Sequence, residues 1–264
     1  MVYLRSIAFK AGTDRLDGFP FNVPFVHATK RVEFKSPVTF FVGENGSGKS
    51  TLLEAIAAGV GAAVVGGEDI DRDPSLEHAR KLAKQMTFAW DLRTPRGFFL
   101  RAEDFFNFTK RLQAMHQELD AQEADYEQRM KGYGLMLAKG VVRGSRDALT
   151  KRYGKDLDAN SHGEAFLKLF QARFTGDGLY LLDEPEAPLS PLRQLGLLSM
   201  MKEMAGKGAQ FIIATHSPIL MAFPGATILS FDQPKIKAVA YEDLEHVTLT
   251  KAFLNDPENY LRRL

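Results

Sequence analysis

Residues 43–50 read GENGSGKS and match G-x-x-x-x-G-K-[ST], the pattern of a phosphate-binding loop. A short apolar run at 38–42 precedes the loop and is typical of a buried strand. Residues 51–58 follow with the composition and the spacing of a helix. Because strand, glycine loop and helix are the context that this motif requires, we predict a nucleotide site at 43–51.

Each part of such a loop has a physical role. Glycines let the backbone curve around a polyphosphate with its N–H groups inward, and the helix N-terminus adds partial positive charge. Lys49 is expected to reach the β- and γ-phosphates, and the Ser50 hydroxyl to bind Mg²⁺. The nucleotide-binding residues predicted from the motif are Gly43, Glu44, Asn45, Gly46, Ser47, Gly48, Lys49, Ser50 and Thr51.

The composition is that of an ordinary soluble globular protein. A length of 264 residues suits one large α/β domain, and 45% of the residues are hydrophobic and 25% charged. A net charge of +1 creates no overall field that would attract nucleic acid, and the lack of cysteine excludes disulfides. The most apolar stretch, at 55–67, is too short to span a membrane, so we expect a cytoplasmic protein.

Residue patterns along the chain predict an α/β fold. Two strands, at 2–10 and 25–35, precede the phosphate loop and suggest a small antiparallel flap. Further strands are predicted at 84–92, 97–102, 179–182, 210–215, 226–231 and 236–241, and helices at 165–174, 192–206 and 246–264. We therefore expect a mostly parallel core sheet with antiparallel strands at its N-terminal end.

Residues 103–157 differ from the rest because they are polar, rich in helix formers and free of proline. We predict that a single domain spans residues 1–264 and carries a helical subdomain inserted at 103–160. The stretch at 129–155 is basic, which is typical either of a solvated helical surface or of a face for nucleic acid or a partner protein. The solvated surface is the favoured interpretation.

Two acids, Asp183 and Glu184, close the buried strand at 179–182. Ligands of open α/β sheets bind at the carboxyl ends of strands. We assign Asp183 to the shell of Mg²⁺ and Glu184 to polarising the water that attacks the γ-phosphate. A pair of acids at a strand end is often only a solvated turn, but the phosphate loop favours the functional interpretation.

His216 follows the next buried strand, at 210–215. From that position it can hydrogen-bond the γ-phosphate and hold the attacking water in line. By itself, a histidine at a strand end before a Ser-Pro turn would be interpreted as structural. The catalytic interpretation is favoured here because this strand is the next one after the strand that ends in Asp183. The predicted catalytic residues are Lys49, Glu184 and His216.

Residues 161–164 read Ser-His-Gly-Glu ahead of an apolar helical run and fit a helix capping box. The capped helix N-terminus, with the Ser161 hydroxyl and the Gly163 N–H, is also an anion site. Because the phosphate loop of the same chain already holds a nucleotide, the natural source of that phosphate is a second subunit. Ser161 and Gly163 therefore join the predicted nucleotide-binding residues.

The order of these motifs resembles that of ABC-type ATPases. Phosphate loop, helical insertion, the 161–164 signature, Asp183-Glu184 and His216 follow one another as in the branch with the chromosome-maintenance (SMC) and RecF-like proteins. The chain is similar to the small stand-alone members usually described as AAA-family ATPases. The resemblance implies a head-to-head dimer that holds two ATP molecules with Mg²⁺, with Ser161 and Gly163 at the γ-phosphate of the partner.

Three positions depart from the family's signature pattern. His162 and Glu164 replace a glycine and a glutamine, and Ser190 stands where the family has an aspartate between the subunits. Ser190 puts communication between the two sites in doubt.

Two roles that the resemblance implies have more than one candidate. By its position after the strand at 97–102, Glu103 is the preferred metal-sensing residue, with Gln85 as the rival. The aromatic residue that stacks on adenine stays open among Phe19, Phe21 and Phe25.

These residues favour an ATP-hydrolysing switch that dimerises around ATP and acts on DNA or on a partner effector protein. One alternative is the ATP-binding subunit of a membrane transporter, which the altered signature and Ser190 disfavour. Another is a regulatory module that hydrolyses ATP weakly, but Glu184 would then have little use.

Overall fold

The computed structural model describes residues 1–153, 162–174 and 176–262. The strands are β1 Leu4–Phe9, β2 Arg31–Glu33, β3 Val38–Val42, β4 Met86–Trp90, β5 Gly97–Arg101, β6 Leu179–Asp183, β7 Gln210–Ala214, β8 Thr227–Ser230 and β9 Lys237–Val239. The α-helices are α1 Pro24–Ala28, α2 Lys49–Val60, α3 Glu77–Lys84, α4 Ala102–Arg129, α5 Gly132–Tyr153, α6 His162–Arg173, α7 Pro191–Gly206, α8 Pro218–Met221, α9 Glu245–Asn255 and α10 Pro257–Leu261. Short 3₁₀ helices lie at Thr13–Arg15, Pro74–Leu76 and Tyr241–Asp243.

The main sheet has the strand order β5-β6-β7-β3-β8-β9. Its first five strands are parallel, and β9 pairs with β8 in the antiparallel direction. Every residue of β3, β6 and β7 is buried, as expected of parallel strands covered on both faces. The predicted mostly parallel α/β fold is confirmed.

Alternate side chains of these strands enter two separate cores. Phe40 packs in a cluster with Phe166 of α6 and Leu197 of α7, whereas Phe41 belongs to a cluster with Leu52 of α2 and Ile7 of β1. This alternation follows from the two-residue period of a strand. Helices α4, α6 and α7 thus cover one face, and α2, α3 and the N-terminal sheet cover the other.

The N-terminal sheet is antiparallel and has the order β2-β1-β4. A buried glutamine of β7 links it to the main sheet. The Gln210 amide accepts hydrogen bonds from the backbone N–H groups of Tyr3 at 2.7 Å and Leu4 at 2.9 Å, and donates one of 3.0 Å to the Leu4 carbonyl. The small sheet is therefore held against the strand that ends beside the site.

The strand predicted at 25–35 is wrong over its first part. Residues Pro24–Ala28 form the short helix α1, and only Arg31–Glu33 pair as a strand. Proline is favoured at the first position of a helix, and Phe25 and Val26 bury their side chains from that turn. An apolar run of this length does not by itself distinguish a short helix from a strand.

Helices α4 and α5 pack against each other between β5 and α6. Basic residues of α5 pair with acids of α4: Arg143 Nε lies 2.8 Å from Glu123, and Arg146 Nη1 lies 3.0 Å from Asp120. Residues 154–160 of the predicted insertion lie outside the described residues. In the parts of the chain that the structure describes, no helix is long and apolar enough to cross a membrane.

Candidate functional site

The phosphate loop joins the buried end of β3 to the first turn of α2. Gly48 has a φ of 96°, in the left-handed region that favours glycine. A Cβ on Gly48 would lie 2.6 Å from side-chain atoms of Phe25 and Val23, so a larger residue does not fit. Position 48 is also the N-cap of α2 and has no capping side chain, which leaves the backbone N–H groups of the first turn to a ligand.

The Lys49 ammonium lies inside the loop. Its Nζ donates to the carbonyl oxygens of Gly43 at 2.8 Å and of Glu44 at 2.9 Å, and the residue is buried. Burial lowers the pKa of Lys49, while the carboxylates of Glu184 and Asp183 oppose this shift. A cation held in this way is placed to meet phosphate oxygens.

Ser50 and Asp183 bring two oxygen ligands together. The Ser50 hydroxyl donates a hydrogen bond of 3.0 Å to Asp183 Oδ1, and Asp183 is buried at the end of β6. Burial, followed by the nearby charge of Glu54, raises the pKa of Asp183 to about 7. A buried carboxyl of this kind is stabilised in its charged form by a cation, and Mg²⁺ prefers such oxygen ligands.

Glu184 follows Asp183 with a φ of 48°, an unusual backbone conformation for a residue with a side chain. Its backbone N–H donates to the Ala214 carbonyl at 2.9 Å, which fixes the end of β6 to the end of β7. The half-exposed Glu184 carboxylate lies 3.9 Å from Nε2 of His216. The two residues predicted to handle the attacking water are therefore neighbours.

His216 is held by a residue that the sequence did not single out. The half-buried Glu186 carboxylate accepts a 2.7 Å hydrogen bond from the His216 backbone N–H, and burial raises the pKa of Glu186. Burial lowers the pKa of His216, and the Lys49 charge lowers it further. The imidazole is thus favoured in its neutral form, in which it can donate one hydrogen bond and accept another.

A buried arginine lies at the end of β5, next to the site. Arg101 pairs in register with Asp183 and contacts carboxylates from three other parts of the chain. Its guanidinium lies 2.8 Å from Asp104, 3.0 Å from Asp73 and 3.8 Å from Glu54. Sequence analysis missed Arg101 and Glu54, although Glu54 is one helical turn after Ser50 and so lies on the same face of α2.

The two candidates for the metal-sensing role lie in different places. Glu103 is 71% exposed in the first turn of α4, and its carboxylate is 3.1 Å from Arg101 Nη1. Gln85 is the C-cap residue of α3, and its carbonyl accepts a 2.8 Å hydrogen bond from the backbone N–H of Lys10, just after β1. Glu103 is therefore the candidate that adjoins the strand paired with β6.

A carboxylate just after β8 supports the start of the loop. Asp232 Oδ1 accepts a 3.1 Å hydrogen bond from the Glu44 backbone N–H, and Oδ2 accepts from Ser230 at 2.8 Å. A Cβ on Gly43 would lie 3.0 Å from Asp232, so the two strand ends approach closely. Its position just past a strand end was the signal that could have identified Asp232 in the sequence.

The signature segment is described only in part. Ser161 lies outside the described residues. Gly163, in the first turn of α6, is buried, and a Cβ there would come within 2.8 Å of the Pro188 carbonyl and the Arg193 side chain. Glu164 lies 3.8 Å from Arg193, and Ser190 is the exposed N-cap residue of α7.

The three aromatic candidates for adenine stacking have different surroundings. Phe25 is buried beneath Gly48 and packs edge-on against Phe231, so it belongs to the core. Phe21 is half-buried beside the same core. Phe19 is 57% exposed, and its ring lies 5.0 Å from that of His78 in a tilted arrangement. Exposure therefore favours Phe19, and Phe25 is excluded.

The residues present fit a polyphosphate with Mg²⁺. Ser47 Oγ is buried and has no hydrogen-bond partner among the described residues, although it lies in a loop lined by glycine N–H groups. Ser50 and Asp183 supply one hydroxyl and one carboxylate. Mg²⁺ in nucleotide sites is commonly held by so few protein ligands, with phosphate oxygens completing its shell.

Two family models match the chain, and both fall on this site. One, described as "AAA domain", matches residues 22–85, which contain the phosphate loop. The other, described as "AAA domain, putative AbiEii toxin, Type IV TA system", matches residues 157–222, which contain β6 and β7. A comparison with curated proteins finds no match.

The architecture is also found among solved structures. The ADP conformation of an ATP-binding cassette of an ABC transporter is 16% identical, over 98% of this chain and 96% of that chain, with a TM-score of 0.50. The chain has the fold of an ABC-type P-loop ATPase. This ABC-type fold and the two AAA matches confirm the resemblance that the motif order indicates.

Two further solved structures match the chain with lower TM-scores. The Smc head domain from Pyrococcus furiosus, bound to the C-terminal domain of ScpA, is 14% identical over 98% of this chain and 100% of that chain, with a TM-score of 0.48. CbiO1 from Clostridium perfringens, part of an ABC transporter complex, is 19% identical over 100% of both chains, with a TM-score of 0.44.

Proposed function

We propose that this chain hydrolyses ATP with Mg²⁺, and that two copies close head-to-head around two nucleotides to act on a partner effector protein or on DNA. The AAA matches and the ABC-type fold support nucleotide binding. The observation that supports hydrolysis is the convergence of Lys49, the Ser50–Asp183 pair and Glu184 at one edge of the sheet.

Each side chain of the site has a separate role in the proposed reaction. Lys49 neutralises the β- and γ-phosphate oxygens. Glu184 accepts a proton from water while the water oxygen bonds to the γ-phosphorus and the bond from that phosphorus to the ADP oxygen breaks. His216 donates a hydrogen bond to the γ-phosphate. Mg²⁺, held by Ser50 and Asp183 with Glu103 as the metal-sensing residue, would supply neutralisation of the phosphate charge.

The dimer is inferred from the signature segment. In the ABC-type resemblance, Ser161 and Gly163 contact the γ-phosphate bound by the other subunit. Contacts of this kind exist only while the γ-phosphate is present, so hydrolysis would release the dimer. Close packing of Gly163 against Pro188 and Arg193 fits a segment that must present its backbone, not a side chain, to a ligand.

The charges of the basic stretch at 129–155 bear on whether the client is DNA or a protein. Ion pairs with α4 occupy Arg143 and Arg146 of the basic stretch. A cation that already pairs with a carboxylate gains less by neutralising a phosphate, so these pairs favour a protein client over DNA. Binding to DNA, if it occurs, should weaken steeply as salt is raised.

A transporter subunit is the second candidate function. The similar ATP-binding cassette belongs to an ABC transporter. The fold alone agrees equally well with a transporter subunit and with the proposed ATP-dependent switch. The signature departures at His162 and Glu164, and Ser190 in place of an aspartate, favour the switch.

Light scattering of a Glu184→Gln variant tests the proposal. With ATP and Mg²⁺ the variant should form a dimer, and with ADP it should remain a monomer. Wild type should hydrolyse ATP slowly and dimerise only transiently. A variant that binds ATP but stays monomeric would disprove the head-to-head dimer of the isolated chain.

Two arginine substitutions, each made in the Glu184→Gln variant, test whether the dimer depends on the signature segment. Ser161→Arg should abolish the ATP-dependent dimer without loss of ATP binding, because it fills the space for the partner's phosphate. Ser199→Arg, on an exposed position of α7, should leave the dimer intact. Equal loss in both variants would mean that the effect is not specific to the signature.

A further inference from the structure

A cavity of about 530 Å³ lies among helices α4, α5 and α6. Its volume is within the range of pockets that bind small molecules, about 300–1,000 Å³. Its lining residues all belong to these three helices, so the cavity is separate from the nucleotide site. Most of the wall consists of apolar side chains of α4 and α5, which are Phe108, Leu112, Met115, Leu119, Ala148 and Leu149.

The apolar wall continues from the core to the surface of the protein. The four apolar side chains on α4 recur every three or four residues and therefore share one face of that helix. Leu112 is 4% exposed and belongs to the core cluster, whereas Met115, one turn further along α4, is 45% exposed. Ala148, on α5, is also exposed. A ligand with an apolar body would gain free energy by removing this surface from water.

A cation lines the same cavity. Arg173 is the last residue of α6, and its Nε is shielded from solvent without a hydrogen-bond partner within 1–153, 162–174 and 176–262. In that part of the chain no ion pair includes Arg173. A shielded donor without a partner carries a free-energy cost, which a ligand that accepts a hydrogen bond can relieve.

The acidic residue of the lining does not have the same need. Glu118, on α4, is exposed, so water solvates its carboxylate. Arg173 is therefore the charged group that selects the ligand. A carboxylate accepts two parallel hydrogen bonds from the planar guanidinium of an arginine, which makes it a close complement of Arg173.

We propose that this cavity binds a small amphipathic carboxylate, whose charged end pairs with Arg173 and whose apolar chain lies along Leu112 and Met115. Sequence analysis assigned residues 165–174 only as a helix and gave Arg173 no role. The inference goes beyond the proposed ATP hydrolysis and does not depend on it. A bound ligand would touch three helices and hold α4 and α5 against α6.

Calorimetric titration of the nucleotide-free protein with octanoate tests the proposal. We expect a dissociation constant of about 1 mM or lower, as for other ligands of this size. Octan-1-ol has the same chain without the charge and should bind at least about tenfold more weakly. Arg173→Met should weaken octanoate binding by a similar factor and leave octanol binding nearly unchanged, whereas Arg173→Lys keeps a cation and should retain most of the octanoate affinity.

Two further variants locate the binding site. Ala148→Phe places a large side chain at the exposed wall of the cavity and should reduce the affinity for both compounds. Arg129→Met removes an exposed cation at the end of α4, outside the cavity lining, and should change neither affinity.

Three results would overturn the proposal. Wild type that binds no octanoate would leave the cavity to another occupant, such as an apolar helix of a partner protein. Equal affinity for octanoate and octanol would show that Arg173 does not select a carboxylate. Octanoate binding that Ala148→Phe leaves unchanged would place the bound compound elsewhere on the protein.

Discussion

The Ser50 hydroxyl and Asp183 Oδ1 lie 3.0 Å apart, and their hydrogen bond joins the first turn of α2 to the carboxyl end of β6. The two parts of the site come from motifs 133 positions apart in the chain. Because Asp183 is buried with a pKa raised to about 7, its protonation affects both the stability of the fold and the charge available to a metal.

Asp183→Asn should stabilise the protein at alkaline pH. A carboxyl whose pKa is higher in the folded than in the unfolded state favours folding at low pH, and that contribution is lost as pH rises through the folded value, here about 7. In EDTA at pH 8 we expect the variant to gain about 2–4 kcal/mol in free energy of unfolding, measured by urea denaturation.

At pH 5 the gain from Asp183→Asn should be clearly smaller, since folded Asp183 is then still protonated. The exposed Asp14→Asn is the control and should change stability at neither pH. A pH-independent gain would show that ionisation of Asp183 is not its cause.

Gly48→Ala should destabilise the fold more than Gly46→Ala. Both glycines have positive φ values, 96° and 79°, so each alanine costs about 1 kcal/mol in backbone strain. Only the Cβ at 48 meets neighbours, Phe25 and Val23 at 2.6 Å, which adds about 1–3 kcal/mol of overpacking. Thermal unfolding of the nucleotide-free variants measures the difference, and equal melting temperatures would contradict it.

Arg101→Met should unfold the protein far more readily than Arg96→Met. Removing Arg101 leaves the buried carboxylate of Asp104 without its cation, at a cost of about 3–5 kcal/mol. Arg96 forms an exposed ion pair with Asp177, which contributes at most about 1 kcal/mol. Chemical denaturation of both variants provides the comparison. Similar losses would mean that the Arg101 cluster is not effectively buried.

Glu184→Gly should raise stability while it abolishes hydrolysis. The φ of 48° strains a residue with a side chain, and glycine relieves this at the expense of extra freedom in the unfolded chain. The net gain expected in urea denaturation is about 0.5–1 kcal/mol. Glu184→Gln keeps the strain and should be inactive without becoming more stable, so a stabilised glutamine variant would refute the explanation by strain.

Sequence patterns were sufficient for the parts of the fold that are locally determined. The strands that end in the phosphate loop, in Asp183 and near His216 are continuous apolar runs bounded by glycine or polar residues, and these bounds mark their ends. Helix α1 was missed because Phe25 and Val26 are equally compatible with a strand. The short helix α8 was missed because its four residues contain no full helical period.

The supporting residues of the site could not be predicted in the same way. Arg101 becomes a neighbour of Asp183 only through the parallel pairing of β5 with β6, and that pairing is not readable from either strand alone. Asp232 likewise meets Glu44 only because β8 pairs with β3. Local sequence shows which residues have functional chemistry, whereas strand order decides which of them meet.

The Gln210 amide has a mechanical consequence. With hydrogen bonds to Tyr3 and Leu4, it fastens the N-terminal sheet to β7 against both sliding and rotation. The N-terminal sheet is therefore expected to move together with β7, the strand that ends beside His216. Helices α4, α5 and α6 lie on the opposite face and outside this connection, so any movement in the proposed hydrolysis cycle is expected there.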